Sequence, residues 1–332
     1  MKRFIRLALF IGFVFLAGVA GLFFLANQSN EAFKGEFFLD FERGTSTRSL
    51  AELLESSGVV RSRWHFLAAR ALNPIASLKA GEYSFNKSMT PNQILGKLMR
   101  GEVHYYTLMV PEGYNMFDVA KAVEDLGLVK AQDFLKVARK PYLIRDLSPT
   151  APSLEGFLFP ASYHVTRRMT AEQICKQMTD QFRRQWRALG VKGDPIRTVT
   201  LASLVEKETG VNSERPVVAA VFENRIAKGM KLECDPTTVY AAMLSGVWRD
   251  VIHRSDLDRK HPYNTYQTTG LPPGPIANPG LASLKAAVAP AESKFLFFVA
   301  RPDGSGGHNF SDTLSGHNQA VEQYRRAQHK AH

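Results

Sequence analysis

Residues 7–26 form an unbroken run of about 20 residues without a charged side chain. As a helix rising 1.5 Å per residue, such a run is ~30 Å long, which matches the hydrocarbon core of a bilayer. The chain is therefore expected to begin as a single transmembrane helix, with all later structure folding beside a membrane. Lys2, Arg3 and Arg6 precede the run and no comparable cluster follows closely. Positive charge favours the cytoplasmic side, so residues 1–6 are expected inside and everything after Asn27 outside. Gly18 and Ala20 would suit a cleaved leader, but Leu22, Phe23, Phe24 and Leu25 continue the apolar run beyond them, which favours an anchor.

The 332 residues are 45% hydrophobic and 22% charged, enough apolar content for one large or two modest packed domains and too much for a disordered chain. The net charge of +11 is spread along the sequence, with no basic run of the kind that binds nucleic acid. It suits an anionic lipid face or an acidic polymer. Cys175 and Cys234 show neither CxxC spacing nor the density of a disulfide scaffold, and no role is expected of either.

Residues 37–70 and 106–139 align without gaps at the shift that carries Gly44 onto Gly113. Leu39 falls on Leu108, Leu50 on Val119, Ala51 on Ala120, Leu54 on Val123, Gly58 on Gly127, Val60 on Val129 and Arg70 on Arg139. Each copy reads strand, helix, helix. In the first, a strand is expected at 37–41, then a helix capped by Ser46 or Thr47 with Leu50, Leu53 and Leu54 on one face. Gly58 ends that helix, and a second helix at 62–71 and a strand at 81–85 follow. This β-α-α-β layout resembles the LysM module, which grips glycan strands. The alternative, two small α/β units that only support an enzyme, stays open.

From residue 170 the pattern turns helical, with amphipathic stretches at 170–189, 196–209, 213–228 and 236–244. A proline-rich segment, 258–280, is expected as a long ordered loop, followed by a strand at 295–300 and a final helix after Asp312. No nucleophile elbow, phosphate loop or dinucleotide fingerprint is present. There is no HExxH, and His308 and His317 lie outside the usual spacing of metal ligands, so neither a metal nor a cofactor is expected. Glu206 and Glu208 close an apolar helical stretch. At 100° per residue they point about 200° apart, so only one can serve a given cleft.

Several long segments together resemble the endolytic murein transglycosylase, or YceG-like, family. They are VPEG at 110–113, EGFLFP at 155–160, ASLVEKET at 202–209, VFENRIAKGMKLECDPT at 221–237, YNTYQTTGLPPGPIANPG at 263–280 and HNF at 308–310. The chain departs from the family pattern at Ala161-Ser162-Tyr163, where Asp-Thr-Tyr is usual, and at Cys234, where Ser is usual. The resemblance implies an α+β fold: a small LysM-like module at 27–104 beside the transmembrane helix, and a mostly helical YceG-like catalytic domain at 105–332. It implies a single-pass protein of the inner membrane whose periplasmic part cuts peptidoglycan strands between N-acetylmuramic acid and N-acetylglucosamine, leaving 1,6-anhydro ends. It implies Glu206 as the catalytic acid and base, and Tyr263, Asn264, Tyr266, Asn278 and Asp235 as substrate-binding candidates. Peptidoglycan is the expected partner, with cell-wall synthesis or division proteins left open. A muramidase-type hydrolase and a non-catalytic peptidoglycan-binding scaffold are the competing readings, and the roles of Glu208 and Glu155 stay open.

Overall fold

A computed structural model describes residues 1–331, about half of them helical, as a mixed α+β chain. It divides into two compact units: residues 1–106 with 166–168, and residues 107–165 with 169 onward.

The first unit opens with α1, Lys2–Asn27, a helix long and apolar enough to cross a membrane. Most of its length is exposed, but Ala26 is fully buried, and Leu22 and Leu25 pack into the same core as Leu39, Leu50, Leu54, Phe66, Tyr83 and Phe85. Around that core run β1 (Phe37–Phe41), α2 (Thr47–Ser56), α3 (Arg63–Leu72) and β2 (Gly81–Phe85), with β1 and β2 antiparallel and Leu39 opposite Tyr83. Ser46 caps α2 by accepting from Ser49 N at 3.0 Å, and Gly58 leaves it at φ +71. Leu53, expected on the buried face, is exposed instead. The core takes Leu50, Ala51 and Leu54, an arc of about 100° that leaves Leu53 some 60° outside. A helix not expected from the sequence, α4 (Pro91–Arg100), follows; Thr90 and Gln93 form its capping box and Gly101 its left-handed end.

The second unit begins by repeating the first. Strand β3 (Tyr106–Val110) and helix α5 (Met116–Asp125) start and stop at the positions matching β1 and α2, and α6 (Ala131–Ala138) matches α3. Gly113 and Gly127 take up the positive φ of Gly44 and Gly58. Strand β4 (Ala161–Val165) closes this copy against β3 as β2 closes the first.

Then come α7 (Ala171–Leu189), α8 (Ile196–Glu208), α9 (Arg215–Ala227), α10 (Asp235–Leu244), the short α11 (Arg254–Leu257), α12 (Leu281–Val288), an antiparallel hairpin of β5 (Phe297–Ala300) and β6 (His308–Ser311), and α13 (Leu314–Ala331). Helix α8 departs from the amphipathic expectation: every residue from Val199 to Val205 is buried, because α9, α10 and α12 all pack on it. A helix apolar on all sides belongs at the centre of a core, and this one carries both glutamates to its C-terminal end.

Candidate active site

The last turn of α8 sends its two carboxylates to different places. Glu206, whose side chain is 5% exposed, has both oxygens engaged. Oε1 pairs with Arg215 Nη2 at 3.0 Å and Oε2 accepts from Gly280 N at 2.9 Å. Lys207 Nζ donates to Gly113 O at 3.3 Å, which ties the turn of the second repeat to the same end of α8. A Cβ on Gly280 would lie 1.9 Å from Glu112 Oε1, so a larger residue there would have to push the exposed Glu112 side chain aside.

Glu208 lines a cavity of about 260 Å³ with Phe222, Arg225, Leu232, Glu233, Asp235, Tyr266, Phe298 and His317. Burial raises the pKa of its carboxyl and the nearby Asp235 charge adds to this, against a hydrogen bond from Cys234 and the charges of His308 and Arg225. The Cys234 thiol is itself pushed far up by burial and by Glu208, so it stays an S–H donor. Cys234, from which no role was expected, therefore contacts a carboxylate of the site. The cavity is smaller than the ~300–1,000 Å³ usual for small-ligand pockets.

Of the residues named from the sequence, Asp235 and Tyr266 meet in this cavity, where Tyr266 Oη donates to Asp235 Oδ1 at 2.6 Å. Burial and that bond raise the tyrosine's pKa. The other three substrate-binding candidates are packed inside the protein. Asn264 is fully buried and donates to the carbonyls of Asp256, Leu257 and Arg259 while accepting from Tyr266 N. Asn278 is fully buried between Tyr114 O, Glu155 Oε1 and Leu158 N. Tyr263 packs against Tyr240 and His261, and burial pushes its hydroxyl up to about 12. The amides of Asn264 and Asn278 are thus committed to the protein.

Two histidines for which no role was expected also stand at this end of the unit. His317 lines the cavity stacked on Phe297, its Nδ1 buried without a hydrogen-bond partner among the described residues, and burial together with Arg225 lowers its pKa. His308 Nδ1 lies 2.8 Å from Glu214 Oε2, and His308 N donates to Glu214 Oε1 at 2.9 Å. Burial alone would raise the Glu214 carboxyl, but these bonds hold it below its usual range. Among the described residues, no group of His, Cys, Asp and Glu is arranged to hold a metal.

Glu155 ties these loops together. It accepts from Met116 N at 2.8 Å, at the start of α5, and from Asn278 Nδ2 at 3.0 Å, and it bonds Tyr240. Burial pushes its carboxyl from 4.5 up to about 8. The native state then holds a proton that the unfolded chain releases, so this group's stabilisation is complete below about 4.5 and is lost as pH rises through about 8. Unfolding free energies from denaturant titrations should fall across that window, by at most about 1.4 kcal/mol per pH unit from this group. Glu155→Gln should flatten the slope, and an unchanged slope would show that the carboxyl is ionised in the fold.

Residues 39–323 match the YceG-like family, a stretch that takes in both repeat copies and the Glu208 cavity. The chain is 32% identical over 307 residues to the protein named endolytic murein transglycosylase of Bacillus subtilis, covering 86% of this chain and 84% of the relative. It is 30% identical over 292 residues to the protein of that name from Streptococcus pneumoniae, covering 77% of this chain but only 53% of that longer relative. A crystal structure of a yceG-like protein from Listeria monocytogenes is similar at a TM-score of 0.55 and 32% identity, covering 86% of this chain and 99% of that one.

Proposed function

The chain belongs to the YceG-like family, and on that premise we propose that it is an endolytic murein transglycosylase whose proton donor is Glu208. The observation that carries this reading is the cavity at the end of α8, where one recessed carboxyl with a raised pKa faces open space. A general acid has to hold its proton near neutral pH, and burial is the usual way to make a glutamate do so. Glu206 lacks that opening, because Arg215 and Gly280 take both of its oxygens. Its place is to fix the end of α8 from which Glu208 projects.

In the proposed reaction Glu208 gives its proton to the glycosidic oxygen between N-acetylmuramic acid and N-acetylglucosamine, and the bond from that oxygen to the muramic anomeric carbon breaks. The 6-hydroxyl of the same muramic residue attacks that carbon and returns its proton to Glu208. A 1,6-anhydro ring closes, a free 4-hydroxyl leaves on N-acetylglucosamine, and no water is consumed. An ordinary glycosidase needs a second carboxylate as nucleophile or water-activating base. Here Asp235 is held by Tyr266, which suits a wall that orients the sugar. Mass spectrometry of products released from amidase-treated peptidoglycan tests the reaction type: anhydro ends are expected, and ends that have gained water would make the protein a hydrolase.

The weak Cys234 donor is a second handle on the acid. Cys234→Ser puts a stronger hydroxyl donor against Glu208 and favours its ionised form. Since the acid must be protonated to act, the alkaline limb of the pH–rate profile should move down, by roughly half a unit. An unmoved limb would separate Cys234 from the proton donor.

We further read α1 as a single-pass anchor with residues 1–6 in the cytoplasm and everything after Asn27 outside, supported by Lys2, Arg3 and Arg6 at its start. Residues 27–104 are read as a LysM-like glycan-binding module on the strength of their strand-helix-helix-strand layout.

A further inference from the structure

We infer that the membrane-proximal unit sits in the outer face of the bilayer, with the outer stripe of α3 and the turn after it facing lipid through Trp64 and Ile75. This rests on the reading of α1 as a membrane anchor.

The depth of α3 follows from what it packs against. The apolar run ends at Ala26, so Leu22, Leu25 and Ala26 occupy the last ~7 Å of a hydrocarbon core that the run just spans. Those three residues belong to one core with Phe66, Ala69 and Leu72, and α3 packs on α1. Polar links hold the same joint: His65 Nε2 lies 3.1 Å from Gln28 Oε1, Asn30 Nδ2 donates to Gly58 O at 2.7 Å, and Asn92 Nδ2 donates to Asn27 Oδ1 at 3.2 Å. The anchor therefore enters the unit as part of its core, and α3 shares the level of the headgroup boundary.

At that level the outer side of α3 is apolar. Trp64 and Ala71 are exposed on one helical face, with Leu67, partly buried against the core, beside them. Trp64 is 65% exposed, and Ile75, in the turn just beyond, is 96% exposed. A tryptophan with an apolar ring and a polar N–H is the residue type that collects at membrane interfaces. Beside α1 lies a hollow of about 930 Å³ whose lining runs from Ala20, Phe23 and Phe24 to Asn27, Gln28, Glu31 and Arg61. An apolar end at the depth of the hydrocarbon and an end above it that carries both a carboxylate and a guanidinium match one lipid, an acyl chain below and a zwitterionic headgroup above. The occupant of this face is thus the outer leaflet.

The test uses the full chain in phospholipid vesicles with brominated acyl chains, which quench nearby tryptophans. The protein has three tryptophans, and the difference between wild type and Trp64→Phe isolates the exposed one. Brominated lipid should remove most of the Trp64 emission while aqueous acrylamide leaves it. Quenching by acrylamide and not by bromine would overturn the seating. A Phe15→Trp probe within α1, in the Trp64→Phe background, tests the anchor separately. If bromine reaches it but not Trp64, the seating falls and the anchor stands; if bromine does not reach it, the anchor reading falls as well.

Discussion

Glu208→Gln should abolish the anhydro-ended products that the wild-type chain releases from peptidoglycan, a loss of about 10²–10⁴-fold, the contribution usual for a positioned general acid. The amide keeps the size of the side chain and its place in the cavity but cannot give up a proton. Its folding should not suffer, because a carboxyl whose pKa burial already raises gains little from its charge. Thermal unfolding at neutral pH should therefore match wild type or exceed it, and that match makes the loss of product a statement about chemistry. Full activity in Glu208→Gln, measured as muropeptide release at equal folded concentration, would remove Glu208 from the reaction and return the acid to Glu206. A folded Glu208→Gln that still binds peptidoglycan sacculi without cutting them would separate recognition, carried by other residues, from the reaction at one carboxyl.

What the sequence disclosed, and what it hid, depends on the range of the interaction concerned. The anchor, the strands at 37–41 and 81–85 and the cap at Ser46 rest on residues a few positions apart, and the repeat recurs because Gly44 and Gly113 meet the same backbone demand, a positive φ. The geometry of Glu206 and Glu208 was half legible: helical spacing requires them to diverge. Which one meets the cavity depends on Arg215, Gly280 and Cys234, brought in by three other segments, and no local pattern reports that. The amides of the 258–280 loop are ambiguous in sequence for a related reason. An asparagine that could bond a sugar has the same side chain as one that bonds carbonyls of its own loop, and only burial separates Asn264 from a ligand-facing amide. His317 was hidden because it comes from a helix far along the chain, where an isolated histidine carries no signal until Phe297 and Arg225 stand beside it.

Removing Arg215 should be among the most damaging single changes in the site half, and pairing it with a second substitution should undo most of the damage. Arg215, whose side chain is 7% exposed, supplies the countercharge of a buried pair and also bonds Asn212. Arg215→Met leaves the Glu206 carboxylate buried with only Gly280 N as a donor, and breaking such a pair costs about 3–5 kcal/mol. Glu206→Gln alone should also destabilise, because an amide has one acceptor end and one donor end, while Arg215 and Gly280 both present donors. A loss of activity in that single variant would therefore mix folding with chemistry. In Arg215→Met with Glu206→Gln, the amide oxygen can accept from Gly280 and no unpaired charge remains, so the denaturant midpoint should return most of the way to wild type. With Glu208 intact, the double variant should also regain the anhydro product. Recovery of the fold without recovery of product would show that Glu206 itself handles the proton, and would give the carboxyl in the cavity to substrate binding.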